Sequence, residues 1–257
     1  MTEHPTSFNG EMVRAILDGH KMMTRRVIKF PEGTFRPDVD WIRSIHQDGG
    51  GNWVAWSTDE QNLAEFTKRV YPNGEGFSCP YGQLGDTLWV REGWRLSDWN
   101  PEEGNWKIQY RADMTESDWL FADEDAMSEQ QQERLWIQCG EDCERAGYEY
   151  DELVEHYQFP QGDAETRWRS SRFMFKVFTR IWLEVVSVRV ERVRDISEED
   201  VIAEGCGLMS WGLDPQGNEL GPRTAGFAEL WDSINKSRDF GWASNPWVFV
   251  ISFKRLG

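Results

Sequence analysis

The chain has 257 residues, 39% of them hydrophobic, and a formal net charge of −17. That length supports one large domain or two small ones with a real core. No apolar run approaches the ~20 residues of a membrane helix, the start Met1-Thr2-Glu3-His4-Pro5 lacks a secretory pattern, and such acidity argues against non-specific binding of duplex DNA, which needs clustered Lys and Arg.

In chain order, Glu11 to Asp18 reads as a short amphipathic helix, with Met12, Ala15 and Ile16 at i, i+3 and i+4. Asn9-Gly10 opens it and Gly19 closes it. Lys21 and Thr24 therefore lie just past its end. Residues 31–76 are rich in Pro and Gly, with a strand at Trp53-Val54-Ala55-Trp56, and predict a hairpin-rich excursion. The turn Gly82 to Asp86 leads into a strand from Thr87 to Glu92, with Lys107 to Tyr110 as a partner strand.

Residues 113–165 hold 17 acidic residues against two basic ones, and the rest of the chain is nearly balanced. The segment predicts helices over Ser128–Trp136 and Tyr150–His156, set outside the core as a solvated acidic insert open to a basic protein partner. Thr179 to Arg192 predicts a long strand. Ser197, with Asp200 three residues on, predicts a capped helix start, and Gly205 its end. A helix over Ala225–Asn235 and a strand over Trp247–Phe253 follow. No linker separates independent domains, so residues 1–257 read as a single domain.

Three residues carry the candidate chemistry. Lys21 is either a cation favoured by a helix C-terminus or a partly buried amine that moves a proton or polarises a carbonyl. Thr24 is either an ordinary strand-start residue or a hydroxyl awaiting a base. Glu204 is either a solvent-exposed glutamate or, at the negative end of a short helix that disfavours its charged form, a general acid or base. Arg25, Arg91, Glu92 and Trp94 are candidate substrate-binding residues, with a surface pair as the equal alternative for those after the Gly85-Asp86 turn. If Trp89 faces the core, alternation puts Arg91 on its side and Glu92 opposite. The 15 tryptophans are most simply core, though any of them can stack a nucleobase. Cys139-x3-Cys143 is one loose pair, short of zinc-site spacing. No metal or cofactor is expected. The four scattered cysteines suit a reducing cytoplasm.

The segment Ile16-Leu17-Asp18-Gly19 followed by Lys21-x2-Thr24 resembles the start of ASCH domains, in the PUA-like superfamily. So do the Gly85-Asp86 turn, the Ile196-Ser197-Glu198-Glu199-Asp200 and Ala203-Glu204-Gly205 segments, and the closing Val248 to Lys254 strand. The closest resemblance is to ASCH proteins of phages and prophages, for which the compartment would be the host cytoplasm. It implies an α+β fold: a small PUA-like β-barrel with flanking helices and the acidic, partly helical insert. It also implies a metal-independent amidohydrolase for an acylated nucleobase or nucleoside, of the N4-acetylcytidine type. Lys21, Thr24 and Glu204 match the catalytic lysine, threonine and glutamate of the small bacterial enzymes. The chain is far longer than those enzymes, and its insert and tryptophans have no counterpart there. Two other readings stand beside this one: a non-catalytic reader of RNA or a modified base, and an acidic phage-type protein that engages a host nucleic-acid-binding protein through 113–165.

Overall fold

The computed structural model describes residues 1–29, 42–49, 52–57, 60, 63–64, 67, 76–100, 103–121, 127–148, 150–151, 156–157, 166–206, 212–213, 219–220 and 222–257. The fold is mixed α+β. Strands are β1 (Glu3–Ser7), β2 (Met23–Val27), β3 (Ser44–Gln47), β4 (Trp53–Trp56), β5 (Thr87–Arg91), β6 (Trp94–Asn100) and β7 (Asn105–Tyr110). They continue as β8 (Leu120–Phe121), β9 (Tyr150–Asp151), β10 (His156–Tyr157), β11 (Trp182–Arg192), β12 (Gly212–Leu213), β13 (Glu219–Leu220) and β14 (Trp247–Leu256). The helices are α1 (Gly10–Leu17), α2 (Glu129–Ala146), α3 (Glu198–Ala203) and α4 (Pro222–Asn235).

Five strands form one sheet in the order β1-β5-β11-β14-β2. Its ends stay apart, so this is an open sheet and not the closed barrel expected from the sequence. Among the described helices, none is long and apolar enough to cross a membrane.

The chain divides into two compact units. Unit 1 comprises Met1–Glu3, Asp18–Thr87 and Glu184–Arg255; unit 2 comprises His4–Leu17, Leu88–Leu183 and Leu256–Gly257. In unit 1, β14 pairs antiparallel with β2, matching Val250 to Arg25 and Ile251 to Thr24. Met23, Val27, Val248 and Val250 pack with Val193, Val201, Phe227, Trp231 and Trp242. Odd-numbered β2 residues thus face α3 and α4, because side chains alternate along a strand.

Unit 2 is built on the antiparallel β6-β7-β8 meander. Trp94, Leu96, Trp99, Trp106, Ile108 and Tyr110 form its core with Phe178 and Met174. Leu135, Cys139 and Cys143 of α2 belong to the same core. This corrects the placement of the acidic insert outside the fold. The apolar residues of α2 recur at i, i+4 and i+8, making one buried stripe, while Glu133, Glu141 and Glu144 stay exposed. A high acidic count masked that stripe. Two further expectations are corrected. The described ends of 150–157 are an antiparallel strand pair, Tyr150 with Tyr157 and Asp151 with His156, and not a helix. The partner of β7 is β6, which the sequence reading missed. The hairpin expected in 31–76 is present where described, as β3 paired with β4; the rest of that excursion lies outside the described residues.

Candidate functional site

The site grows from the end of α3. Ser197 Oγ accepts the Asp200 N–H at 3.2 Å and starts the helix. At the other end the Gly205 N–H reaches the Ile202 carbonyl at 2.9 Å, and the Cys206 N–H reaches Val201 at 3.2 Å. That pair of bonds is a Schellman turn, which needs a left-handed residue at Gly205; its φ is +80°. The turn reverses the chain at Glu204 and lays it against Lys21 in an antiparallel bridge. The Met22 N–H donates to the Ala203 carbonyl at 2.8 Å, and the Phe253 N–H to the Met22 carbonyl at 2.9 Å. Backbone bonds from both groups of Met22, with the bridge to Glu204, therefore hold the chain at Lys21.

Lys21 Nζ donates to Glu204 Oε2 at 2.7 Å and to the Glu204 backbone carbonyl at 2.8 Å. Both side chains are buried, at 1% and 5% exposure. Glu204 Oε1 accepts from Arg25 Nη1 at 3.3 Å. Arg25, with its side chain fully buried, also donates to Glu191 Oε1 at 2.5 Å and Asp200 Oδ2 at 2.6 Å. Arg189 completes the cluster, bonding Glu191 at 3.0 Å and Asp200. The group holds three cations and three carboxylates. Burial by itself would lower the Arg25 pKa; the charges of Glu204 and Glu191, with hydrogen bonds to Glu191 and Asp200, outweigh it and hold the guanidinium above its ordinary value. Its plane also sits 5.8 Å from the Phe227 ring.

Thr24 is buried on the opposite face of β2 from Arg25. Arg26 shares that face, 5.9 Å from the Tyr81 ring. Burial lowers the Arg26 pKa, against the opposing charges of Tyr81 and Glu204. Cys206 lies beside the pair. Burial and the Glu204 charge push its thiol up to about 11, against the pull of Lys21 and Arg25.

Arg91, Glu92 and Trp94 belong to unit 2. Trp89 and Arg91 lie on the half-exposed face of β5 while Leu88 and Val90 take the core, so Trp89 does not face the core. Arg91 stacks at 5.6 Å from the Trp89 ring. Glu92 continues the buried face and is held by Arg180 at 2.8 and 2.9 Å. Trp94 is packed against Phe178, ring centroids 4.9 Å apart, and is 1% exposed. Packing within unit 2 accounts for the last two.

The sequence reading missed Glu191, Asp200 and Arg189. Arg189 and Glu191 share one face of β11 by alternation, which was the available signal. Asp200 reads from sequence only as a helix-start acid. Among the described residues no three His, Cys, Asp or Glu side chains gather as metal ligands would.

Comparison with protein-family models, with curated proteins and with solved structures finds no match for this chain.

Proposed function

We propose that the chain is a metal-independent amidohydrolase of an acylated nucleobase or nucleoside, with an ASCH-like, PUA-like arrangement of its strands around the site. The observation that supports this reading is the buried Lys21–Glu204 pair, 2.7 Å apart. A carboxylate and an amine held together can serve as the proton acceptor and the carbonyl-polarising group of an acyl transfer. In the proposed cycle Lys21 polarises the acyl carbonyl. Glu204 accepts a proton from an attacking water and delivers it to the amine as the carbon–nitrogen bond breaks. Arg25 orients the carboxylate through Oε1. Water consumed and acid plus amine released balance the reaction.

The test is incubation of the pure protein with N4-acetylcytidine and chromatography for cytidine. Conversion by the native chain and its loss in Lys21→Ala support the reading. No conversion by the native chain at high protein concentration removes this substrate.

A second reading has its own observation. Lys21, Arg25 and Glu204 already satisfy one another, as in a positioning cluster for a reader of RNA or a modified base. That reading expects saturable binding of the nucleoside with no cytidine released. A third places a basic protein partner on the exposed acids of α2 and expects charge reversal there, at Glu133 and Glu141, to abolish capture.

A further inference from the structure

Unit 2 contains a cleft of about 580 Å³, open to solvent, lined by Glu11, Arg14, Arg111, Arg169, Ser170 and Ser171. That volume is in the range of small-molecule sites. We propose that it binds a small phosphate monoester carried on a hydroxyl-bearing body, a nucleoside monophosphate or a sugar phosphate. The inference is independent of the Lys21–Glu204 reading.

Several arginines of the chain are tied to carboxylates. Arg25, Arg169, Arg180 and Arg189 each have one within 3 Å. Arg14 and Arg111 have none among the described residues. Arg14 donates to the Ala112 carbonyl. Arg111 lies across Gly93, where an added Cβ would stand 3.2 Å from its Cβ and Cδ. The glycine thus makes room for the arginine stem at the cleft wall. The Arg111 guanidinium is 5.8 Å from the Trp168 ring, which also meets Arg95 at 4.7 Å.

Two more cations gather beside Ser171. Arg91 Nη1 donates to the Arg172 carbonyl at 3.4 Å. Burial, and then the charge of Arg172, hold Arg91 below its ordinary value. Like charges held together cost free energy that a bound dianion would offset. Phosphate suits them because guanidinium forks match its oxygens. Glu11 is the single carboxylate in the lining. It would repel a bare polyanion but accepts a hydrogen bond from a sugar hydroxyl, which favours a monoester over a polynucleotide backbone.

The experiment is calorimetric titration of the full chain with AMP, ribose 5-phosphate, inorganic phosphate, adenosine and a short single-stranded RNA lacking terminal phosphates. The expected result is saturable binding of AMP or ribose 5-phosphate, weaker binding of inorganic phosphate, and none of adenosine. Arg111→Glu should weaken the monoester by about tenfold or more, and Arg111→Lys should recover part of it. Both variants should unfold thermally as the native chain does, since Arg111 is exposed. Adenosine binding as well as AMP overturns the proposal. So does unchanged affinity in Arg111→Glu, RNA binding more tightly than every monoester, or no heat from any monoester at millimolar concentration.

Discussion

Glu204 does two jobs, and they should separate on mutation. In Glu204→Gln the Lys21 ammonium loses its charged partner inside the protein, and Arg25 loses one of three. Removing one partner of a buried pair costs about 3–5 kcal/mol, so urea unfolding should show a loss of that size. Turnover of N4-acetylcytidine should fall by at least ~100-fold. Adding Lys21→Met to that variant should restore stability but not activity; stability that falls further would mean the lysine is not the group left uncompensated. A Glu204→Gln protein that still converts substrate at the native rate would take Glu204 out of the chemistry. Arg180 offers a pH test. Burial raises the Glu92 pKa, against the hydrogen bonds and charge of Arg180. Burial pushes Asp113 the same way, but hydrogen bonds from Arg180 and Thr115 win and hold it low. A raised carboxyl binds more protons folded than unfolded, so its contribution falls as pH rises from the ordinary carboxylate value through the folded one. A lowered carboxyl contributes above its unfolded value and loses that contribution as pH falls through the folded one. Arg180→Ala removes what lowers Glu92 and part of what lowers Asp113. It should therefore lose about 3–5 kcal/mol at pH 7 and less at pH 5, read by denaturant unfolding at the two pH values. An equal loss at both would show that Glu92 is not left as a buried anion.

At the scale of elements, α2 is the informative one. Leu135 has no exposed surface and sits in the unit 2 core with Trp99 and Trp106. Leu135→Ala should cost about 2–5 kcal/mol, measured by thermal or urea unfolding, whereas Glu141→Ala on the outer face should change little. If the leucine variant were neutral, α2 would be an appendage after all. The helices were legible wherever a cap announced them: Asn9 before α1 accepts the Met12 N–H at 2.9 Å, and Ser197 starts α3. The long apolar strands β11 and β14 were equally plain. What stayed hidden was pairing. The short β9 and β10 carry no alternating pattern to distinguish them from a helix turn. The β6–β7 pairing depends on a register shift between Leu96 and Asp98 that local sequence does not encode.

For the molecule as a whole, two units emerge from a chain whose composition announces only one. Unit 1 draws on three stretches of chain, and so does unit 2. No composition change marks those crossings, because boundaries of this kind come from packing and not from a flexible linker. The candidate site shows the same limit. Lys21 and Glu204 could be named from their segments, since each sits beside a helix terminus. That Glu191 and Asp200 close around Arg25 could not be read that way, because β11 and α3 meet β2 only through the tertiary fold. The interweaving predicts that deletion of 113–165 cannot serve as a clean loss-of-partner test. It strips Leu135, Cys139 and Cys143 from the core, so the deleted protein should bind a hydrophobic dye and lose its near-ultraviolet dichroism. A native spectrum after deletion would restore the insert to the periphery.

β14 lies between β11 and β2, so the second strand of the chain finds its neighbour only after residues 247–256 have been made. Until then Arg25 and Lys21 have no sheet to carry them to Glu204, and the apolar faces of β2 and β11 stand uncovered. During synthesis, therefore, unit 1 must wait as an unfinished sheet whose missing slat arrives last. The growing chain would be most exposed to proteases and to self-association in that interval. Ribosome-bound chains stalled before residue 247 should be cut readily within β2, and chains released beyond residue 256 should resist.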